Sequence, residues 1–233
     1  MEGVTEMRYY GQWNPPVDEV LFRNYFPERK DGFFIECGAG DGVTLNNCLF
    51  FEQQGWKGIN IEPSPETFEI LKVARPNSIN LNIGLSDHDG ESVFTKTLGS
   101  DCSGFITTHP KWEQELKAYG YKFEPTTIKV LTYRSLVHGE PNKPPYPDIQ
   151  AQLFVLDVDG HELQIIDGMK GTMWMPTVMC VEYTLVTLPA LMERLLPFGY
   201  NYDFLSFNNA FFSMGPKQYK DWYGKTDIWN WGG

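Results

Sequence analysis

Acidic residues end four of the predicted strands of this chain: Glu36, Glu62, Asp157 and Glu182. Any one of these carboxylates is readily explained as a solvated loop residue, but four together are harder to explain in that way. Because the carboxyl ends of parallel strands meet at one edge of an open sheet, where ligands bind, we expect the four to converge on one crevice. The pattern predicts a ligand-binding site that carries negative charge.

A glycine-rich loop follows the first of these strands and consists of Gly38, Ala39, Gly40, Asp41 and Gly42. Glycine allows positive φ and close approach of a ligand to the backbone. Glu62 lies 20 residues beyond Gly42, which is the spacing of an acid that binds ribose hydroxyls. The loop departs from the dinucleotide fingerprint, and the carboxylates of Glu36 and Asp41 would repel a pyrophosphate. They suit a cofactor with a sulfonium, an ammonium and a ribose, which describes S-adenosylmethionine.

Asp157, Asp159 and His161 lie within five residues of one another and follow another predicted strand. Methyl transfer to an alcohol requires proton removal, by a general base or by a metal that acidifies the hydroxyl. We predict these three residues as catalytic. Either His161 or Asp159 acts as the base, or all three, with Glu182, bind magnesium, manganese or iron. The alternative is a solvated loop that precedes a helix.

Weaker candidates lie elsewhere in the chain. His109 and the segment 101–104 are candidates for the same cleft. The aromatic residues of the tail either stack on a sugar ring or bury a contact in a homo-oligomer; they are Trp222, Tyr223, Trp229 and Trp231. The four cysteines show no paired spacing and are predicted to be reduced core residues of a cytoplasmic protein; they are Cys37, Cys48, Cys102 and Cys180.

The elements that would position these residues alternate between strand and helix. Short apolar runs predict strands at 33–37, 58–62, 79–85, 153–157 and 178–182, and helical patterns cover 45–52, 65–74, 162–169 and 188–196. Such alternation is typical of a mostly parallel sheet with helices on both faces. Residues 93–137 interrupt this alternation of strands and helices, and they contain a predicted helix at 111–118 and a predicted strand at 127–132. We predict one domain over 1–233, with an N-terminal extension (1–31) and an insertion over the active face (93–150).

Composition narrows the classes of partner. The 233 residues carry a formal charge of −11, which argues against binding to nucleic-acid phosphates. The longest stretch without Asp, Glu, Lys or Arg has 13 residues, 204–216, too few for a membrane span. The N-terminus also lacks the pattern of a signal peptide.

The residues from Phe33 to Pro63, FFIECGAGDGVTLNNCLFFEQQGWKGINIEP, resemble the first signature of FkbM-type S-adenosylmethionine-dependent methyltransferases. The segment 156–162, LDVDGHE, is similar to a second signature, and 84–87 and 198–200 also fit. The chain departs from the family pattern at Arg134, where the family often has Asp, and in the Leu-Asn-Asn that follows the glycine loop.

The resemblance implies a Rossmann-like class I methyltransferase fold with a seven-stranded sheet, whose last two strands fall in 203–213 and whose final strand is antiparallel. It implies O-methylation of a hydroxyl of a sugar, a glycan or a glycosylated small molecule. Two alternatives are a NAD-dependent oxidoreductase and a non-catalytic cofactor-binding module. The family resemblance also implies which residues contact the cofactor. Glu36, Gly38 and Gly40 would contact its methionine part, Glu62 its ribose, and residues 82–87 its adenine. The full set of expected cofactor contacts is Glu36, Gly38, Ala39, Gly40, Asp41, Glu62, Pro63, Leu85 and Asp157.

Overall fold

A computed structural model describes residues 7–98, 110–139 and 150–215 of the chain. The strands in these ranges are β1 (Phe33–Cys37), β2 (Lys57–Ile61), β3 (Ile79–Leu81), β4 (Gly84–Ser86), β5 (Gly90–Leu98), β6 (Lys122–Thr132), β7 (Leu153–Leu156), β8 (Val178–Glu182), β9 (Tyr200–Ser206) and β10 (Asn209–Met214). The α-helices are α1 (Val17–Tyr25), α2 (Leu49–Gln53), α3 (Pro65–Ala74), α4 (Pro110–Ala118), α5 (Tyr133–His138), α6 (Glu162–Asp167) and α7 (Leu188–Leu195).

Seven strands form the central sheet in the order β3-β2-β1-β7-β8-β10-β9. The first five strands of this order are parallel, and β10 runs antiparallel to both β8 and β9. The chain extends outward from β1 through β2 to β3, and then returns to β7 on the other side of β1. The strand order therefore reverses between β1 and β7, where an open sheet forms its ligand crevice. This topology is the predicted Rossmann-like class I methyltransferase fold.

Both faces of the sheet are covered. Phe34 and Ile35 are adjacent on β1, so their side chains point to opposite faces, and both are fully buried. Phe34 packs in a cluster that includes Leu21 of α1, whereas Ile35 packs in a cluster that includes Leu191 of α7. Burial on both faces explains why these strands read as continuous apolar runs.

Most predicted elements are present, and three differ. The helix expected over 45–52 begins only at Leu49, because side chains take up the backbone N–H groups before it: Asp41 accepts from Val43 and Thr44, and Asn46 accepts from Cys48 and Leu49. The strand expected over 79–85 is divided between β3 in the central sheet and β4 in a second sheet.

The third difference is in residues 90–132. Sequence patterns predicted a helix at 111–118, which is present as α4, and one strand at 127–132. The strand β6 instead begins at Lys122, and it pairs antiparallel with β5 along the length of β5. Together with β4 they form a three-stranded sheet in the order β4-β6-β5. The side chains of β6 are largely exposed at its start, so apolar periodicity is weak there. In the described ranges no helix has both the length and the apolar character needed to cross a membrane.

Candidate active site

The glycine loop joins the end of β1 to the neighbouring strands. The backbone N–H groups of Gly38 and Ala39 donate to the carbonyl of Ile61, at 3.0 and 3.1 Å. Gly38 has a φ of 88°, and a Cβ atom there would lie 1.8 Å from the carbonyl oxygen of Asp157. Gly40 has a φ of 57°, and a Cβ atom there would meet nothing within 4 Å. Gly38 is therefore required for packing between β1 and β7, whereas Gly40 presents open backbone at the crevice.

Glu62 lies across this loop, at the end of β2. One carboxylate oxygen accepts from the N–H of Gly40 at 3.1 Å and the other from the N–H of Ser64 at 2.8 Å. Burial raises the pKa of Glu62 to about 7, although the hydrogen bonds from Ser64 and Gly40 lower it; the charge of Asp159 adds a smaller upward contribution. Because a carboxylate has about four acceptor positions, Glu62 retains capacity for further donors such as ribose hydroxyls.

Glu36 faces into the protein. Its oxygens accept from the side-chain amide of Asn46 and the backbone N–H of Asn47, both at 2.9 Å, and only 2% of the residue is exposed. Burial raises the pKa of Glu36 to about 7, although Arg75 and these hydrogen bonds lower it. These hydrogen bonds hold the loop in position, and the predicted contact between Glu36 and the methionine part of the cofactor stays a prediction.

Arg75 was not identified from the sequence, yet it connects this whole region. The side chain is fully buried and its guanidinium forms an ion pair with Glu52 at 2.7 Å, and another with Glu36 at 4.0 Å. The same group donates to the carbonyl of Gly42 and to Asn46, at 3.2 and 3.0 Å. Arg75 directly follows α3, where a charged side chain is ordinarily solvated, so local sequence does not distinguish it.

Four carboxylates, which we call the carboxylate cluster, follow β7 or end β8. Asp157 and Asp159 lie in the loop after β7, Glu162 begins α6, and Glu182 ends β8. Burial raises the pKa of Asp157 well above its ordinary value, and the charges of Glu182 and Asp159 raise it further. Burial, followed by the charge of Glu182, raises the pKa of Asp159 to about 7. Burial also raises the pKa of Glu162 to about 8. Within the described ranges these groups form no ion pair with Lys or Arg.

The predicted metal centre is not supported by the arrangement of these side chains. Among the described residues no group of three or more His, Cys, Asp and Glu residues is placed to hold a metal ion. Nε2 of His161 lies 3.1 Å from the hydroxyl of Ser86 on β4. Glu182 accepts from Thr184 and Asn208, at 2.8 and 2.7 Å. Asp157 and Glu182 interact with each other by charge and by a side-chain hydrogen bond, whereas His161 is bound to Ser86, so the four predicted ligands do not share one metal position in the described ranges.

The other predicted cofactor residues have different environments. The side chain of Leu85 is 1% exposed and packs in the core, and its predicted contact with the cofactor stays a prediction. The carbonyl of Pro63 accepts from Asn82 at 3.1 Å, and this ties the end of β2 to the turn after β3. Asp41 is an internal cap of the loop. Burial would raise its pKa, but hydrogen bonds from Thr44 and Val43 hold it below the ordinary value.

Residues before α1 also reach the site, although the sequence indicated only an extension. The side-chain amide of Gln12 lies 3.5 Å from a carboxylate oxygen of Asp157. Among the cysteines, Cys37, Cys48 and Cys180 are free and buried, as predicted. Several predictions lie outside the described residues: Cys102, the segment 101–104, His109, Trp222, Tyr223, Trp229 and Trp231.

Comparison with known proteins identifies a family model that covers most of the chain. The family model of the methyltransferase FkbM domain matches residues 36–204. A curated relative, the release factor glutamine methyltransferase of Caulobacter vibrioides, is 33% identical over 96 residues, which are 41% of this chain and 31% of that protein. The chain thus matches less than a third of the length of that relative.

The solved structures that resemble the chain do so at low sequence identity. A TehB-like S-adenosylmethionine-dependent methyltransferase from Corynebacterium glutamicum has a TM-score of 0.40 at 9% identity, with 79% of this chain and 80% of that chain covered. The putative methyltransferase yhhF from Escherichia coli has a TM-score of 0.45 at 11% identity, with 89% and 88% covered.

Proposed function

This chain belongs to the FkbM methyltransferase family, and on that premise we propose that it methylates a hydroxyl group of a sugar, a glycan or a glycosylated small molecule. As a member of the family it is an S-adenosylmethionine-dependent methyltransferase. The observation that carries the proposal is the pairing of Glu62 with the open backbone of Gly40, beside buried carboxylates that lack a cationic partner in the described ranges. Hydride transfer with NAD is the less consistent alternative, because these charges would repel a pyrophosphate.

The residues of the crevice fit S-adenosylmethionine by charge and by shape. Glu62 binds the ribose hydroxyls while Gly40 and Ser64 keep its carboxylate in place. Gly40 lets the cofactor approach the loop without a steric conflict. The carboxylate cluster provides the negative potential that a sulfonium and an ammonium require. Burial and the charges of neighbouring carboxylates raise the pKa values of Asp157 and Asp159, and a bound cation would lower them and favour the charged carboxylates.

The cofactor supplies an electrophilic methyl group on a sulfonium. The chain must align the acceptor oxygen with it, exclude water and accept the hydroxyl proton. We assign proton removal to Asp159, whose pKa of about 7 suits a base that works near neutral pH. Asp157 directly follows β7 and orients the acceptor. His161 is bound to Ser86 and takes a supporting role. A metal is not part of this proposal.

Isothermal titration with S-adenosylmethionine, S-adenosylhomocysteine and NAD tests the cofactor assignment. We expect micromolar binding of both sulfur compounds and no binding of NAD. Transfer of a labelled methyl group to oligosaccharides, proteins and simple amines then tests the acceptor class. Label on protein or amine in place of sugar would refute the hydroxyl assignment and leave the family assignment intact.

Asp159→Asn tests the base. The variant keeps the shape of the side chain and removes its basicity, so turnover should fall about 100-fold, within the usual range for general-base catalysis, whereas binding of S-adenosylhomocysteine should weaken far less, because the other three carboxylates of the cluster remain. Unchanged turnover would remove Asp159 from this role. The cytoplasmic location and the lack of a nucleic-acid partner remain predictions from composition.

A further inference from the structure

We propose that Trp13 and Phe207 form an aromatic platform that binds the ring of the acceptor, and that the N-terminal segment (residues 10–16) thereby determines acceptor specificity. This inference rests on the proposed function, from which it takes the chemical class of the acceptor. Both residues lie outside 36–204, the part of the chain that matches the family model. The platform is thus a feature of this chain rather than of the matched domain.

The N-terminal segment is anchored across the carboxyl edge of the sheet. Its start is held by Asp18 of α1, whose carboxylate accepts from the N–H groups of Tyr10 and Gly11, at 2.7 and 3.1 Å. Gly11 packs closely enough on Asn47, after the glycine loop, that a Cβ atom would lie 2.9 Å from that side chain. Gln12 then reaches Asp157 at the end of β7. The segment therefore passes beside the cofactor loop and the carboxylate cluster.

Trp13 continues this path to the hairpin between β9 and β10. Its indole stacks on the ring of Phe207, with centroids 5.1 Å apart and planes 8° from parallel. The residues remain 48% and 52% exposed, respectively. Two large aromatic residues that stack on each other and still expose about half of their surface leave their outer faces available to a ligand.

The backbone at both positions is strained. Trp13 has a φ of 76° and Phe207 a φ of 52°, in the left-handed region that favours glycine, asparagine and aspartate. The other two non-glycine residues with positive φ in the described ranges are Leu45 and Asp159, and both belong to loops at the same edge of the sheet. Strain retained at bulky aromatic residues indicates that their side chains serve a purpose other than folding.

The hairpin places the platform next to the proposed chemistry. Asn208 donates to Glu182 at 2.7 Å, and the hydroxyl of Tyr183 donates to the carbonyl of Phe207 at 3.0 Å. Trp13 is thus one residue from a contact with Asp157, and Phe207 is one residue from a contact with Glu182. An acceptor on the platform would meet carboxylates at its edge.

This combination of groups favours a pyranose-type ring. The C–H face of a saturated sugar ring packs on an aromatic face, while carboxylates accept hydrogen bonds from its hydroxyl groups. An anionic ring would be repelled by the same carboxylates. The acceptor is therefore a neutral sugar ring whose methylated hydroxyl points toward Asp159.

Trp13→Asn and Phe207→Asn provide the test, because asparagine tolerates positive φ while it removes the ring. We expect KM for the sugar acceptor to rise about tenfold in each, as loss of a stacking contact predicts. The dissociation constant for S-adenosylhomocysteine should not change, and the melting temperature should stay the same or rise. Tyr119→Ala, which removes an aromatic residue that is 81% exposed near the end of α4, is the matched control and should leave all three quantities unchanged.

Failure of the platform and failure of the proposed function give different results. If wild-type protein methylates a sugar and both asparagine variants keep its KM, the platform is refuted while the function stands. A lower melting temperature with an unchanged KM would show a purely structural role, and a dimer that dissociates in the variants on size exclusion would show a contact between two copies. Wild-type protein that methylates no sugar refutes the function and the platform with it.

Discussion

Arg75 is expected to hold the cofactor loop in place, and its replacement by methionine provides the most decisive test of the site. Methionine fills a similar volume but cannot pair with Glu36 and Glu52, and it cannot donate to Gly42 or Asn46. All of these contacts are buried, since Arg75 is fully enclosed and Glu36 and Glu52 are 2% and 11% exposed in their side chains. The substitution therefore leaves two carboxylates without their cation.

Removal of one partner from a buried ion pair typically costs about 3–5 kcal/mol in the free energy of unfolding. Arg194→Met is the matched control, because Arg194 pairs with Asp167 at 3.3 Å with both side chains about 30% exposed, and such pairs contribute about 0–1 kcal/mol. Arg75→Lys keeps the charge but loses the planar fork, so its cost should be about 1–3 kcal/mol. This milder variant should fold and bind S-adenosylhomocysteine more weakly.

The pH dependence of the stability lost in Arg75→Met identifies Glu36 as the carboxylate that Arg75 compensates. Burial raises its pKa to about 7 in the folded protein, and Arg75 opposes the shift. A carboxyl group with a raised folded pKa stabilises the fold fully below its unfolded pKa and loses this contribution as pH rises through the folded pKa. Without Arg75 the pKa of Glu36 rises further. The deficit of Arg75→Met should therefore be larger at pH 8.5 than at pH 5.5, by about 1.4 kcal/mol for each unit of added shift.

Urea denaturation of the wild type and the three variants at both pH values measures these differences. The reasoning would be refuted if Arg75→Met cost no more than Arg194→Met. It would also be refuted if the deficit of Arg75→Met were equal at the two pH values, because Glu36 would then not be the carboxylate that Arg75 compensates.

Three further predictions concern the same edge of the sheet. Gly38→Ala should lower the free energy of unfolding by at least about 3 kcal/mol, because its Cβ would lie 1.8 Å from a carbonyl oxygen. Gly120→Ala, at nearly the same φ in open space, should lower it by only about 1–2 kcal/mol. Equal losses of stability in urea denaturation would contradict the packing argument. Glu62→Ala should weaken binding of S-adenosylhomocysteine by at least about tenfold in calorimetry, since hydrogen bonds to a charged group contribute about 1.5–3 kcal/mol, whereas Glu66→Ala, which affects an exposed pair with Lys96, should not. The melting temperature should fall from pH 6 to pH 8.5, because Asp159 and other buried carboxyl groups with raised pKa values must ionise in the folded state; a rise over that interval would contradict those shifts.

Much of the fold followed from local patterns. The parallel strands β1, β2, β7 and β8 are largely buried, so each is a short apolar run that is followed by a glycine or has an acid at its end, and α3 is marked by Ser64 and Pro65 at its start. The helix after the glycine loop was misplaced, because Leu45 and Cys48 carry helical spacing while side-chain caps from Asp41 and Asn46 prevent the helix from starting there. Periodicity does not detect such competition.

The sequence by itself determined the glycine loop, the acid at the end of β2 and the acids that follow β7 and β8, because these positions depend on strand ends and short spacings. Only the tertiary structure decided which partners these acids have. Glu36 forms an ion pair with Arg75, which lies 39 positions further along the chain, whereas Glu62 accepts from the backbone N–H groups of Gly40 and Ser64. Trp13 and Phe207 meet across almost the whole described chain. Contacts between residues so distant in sequence depend on the packing of the sheet, and no local pattern encodes them.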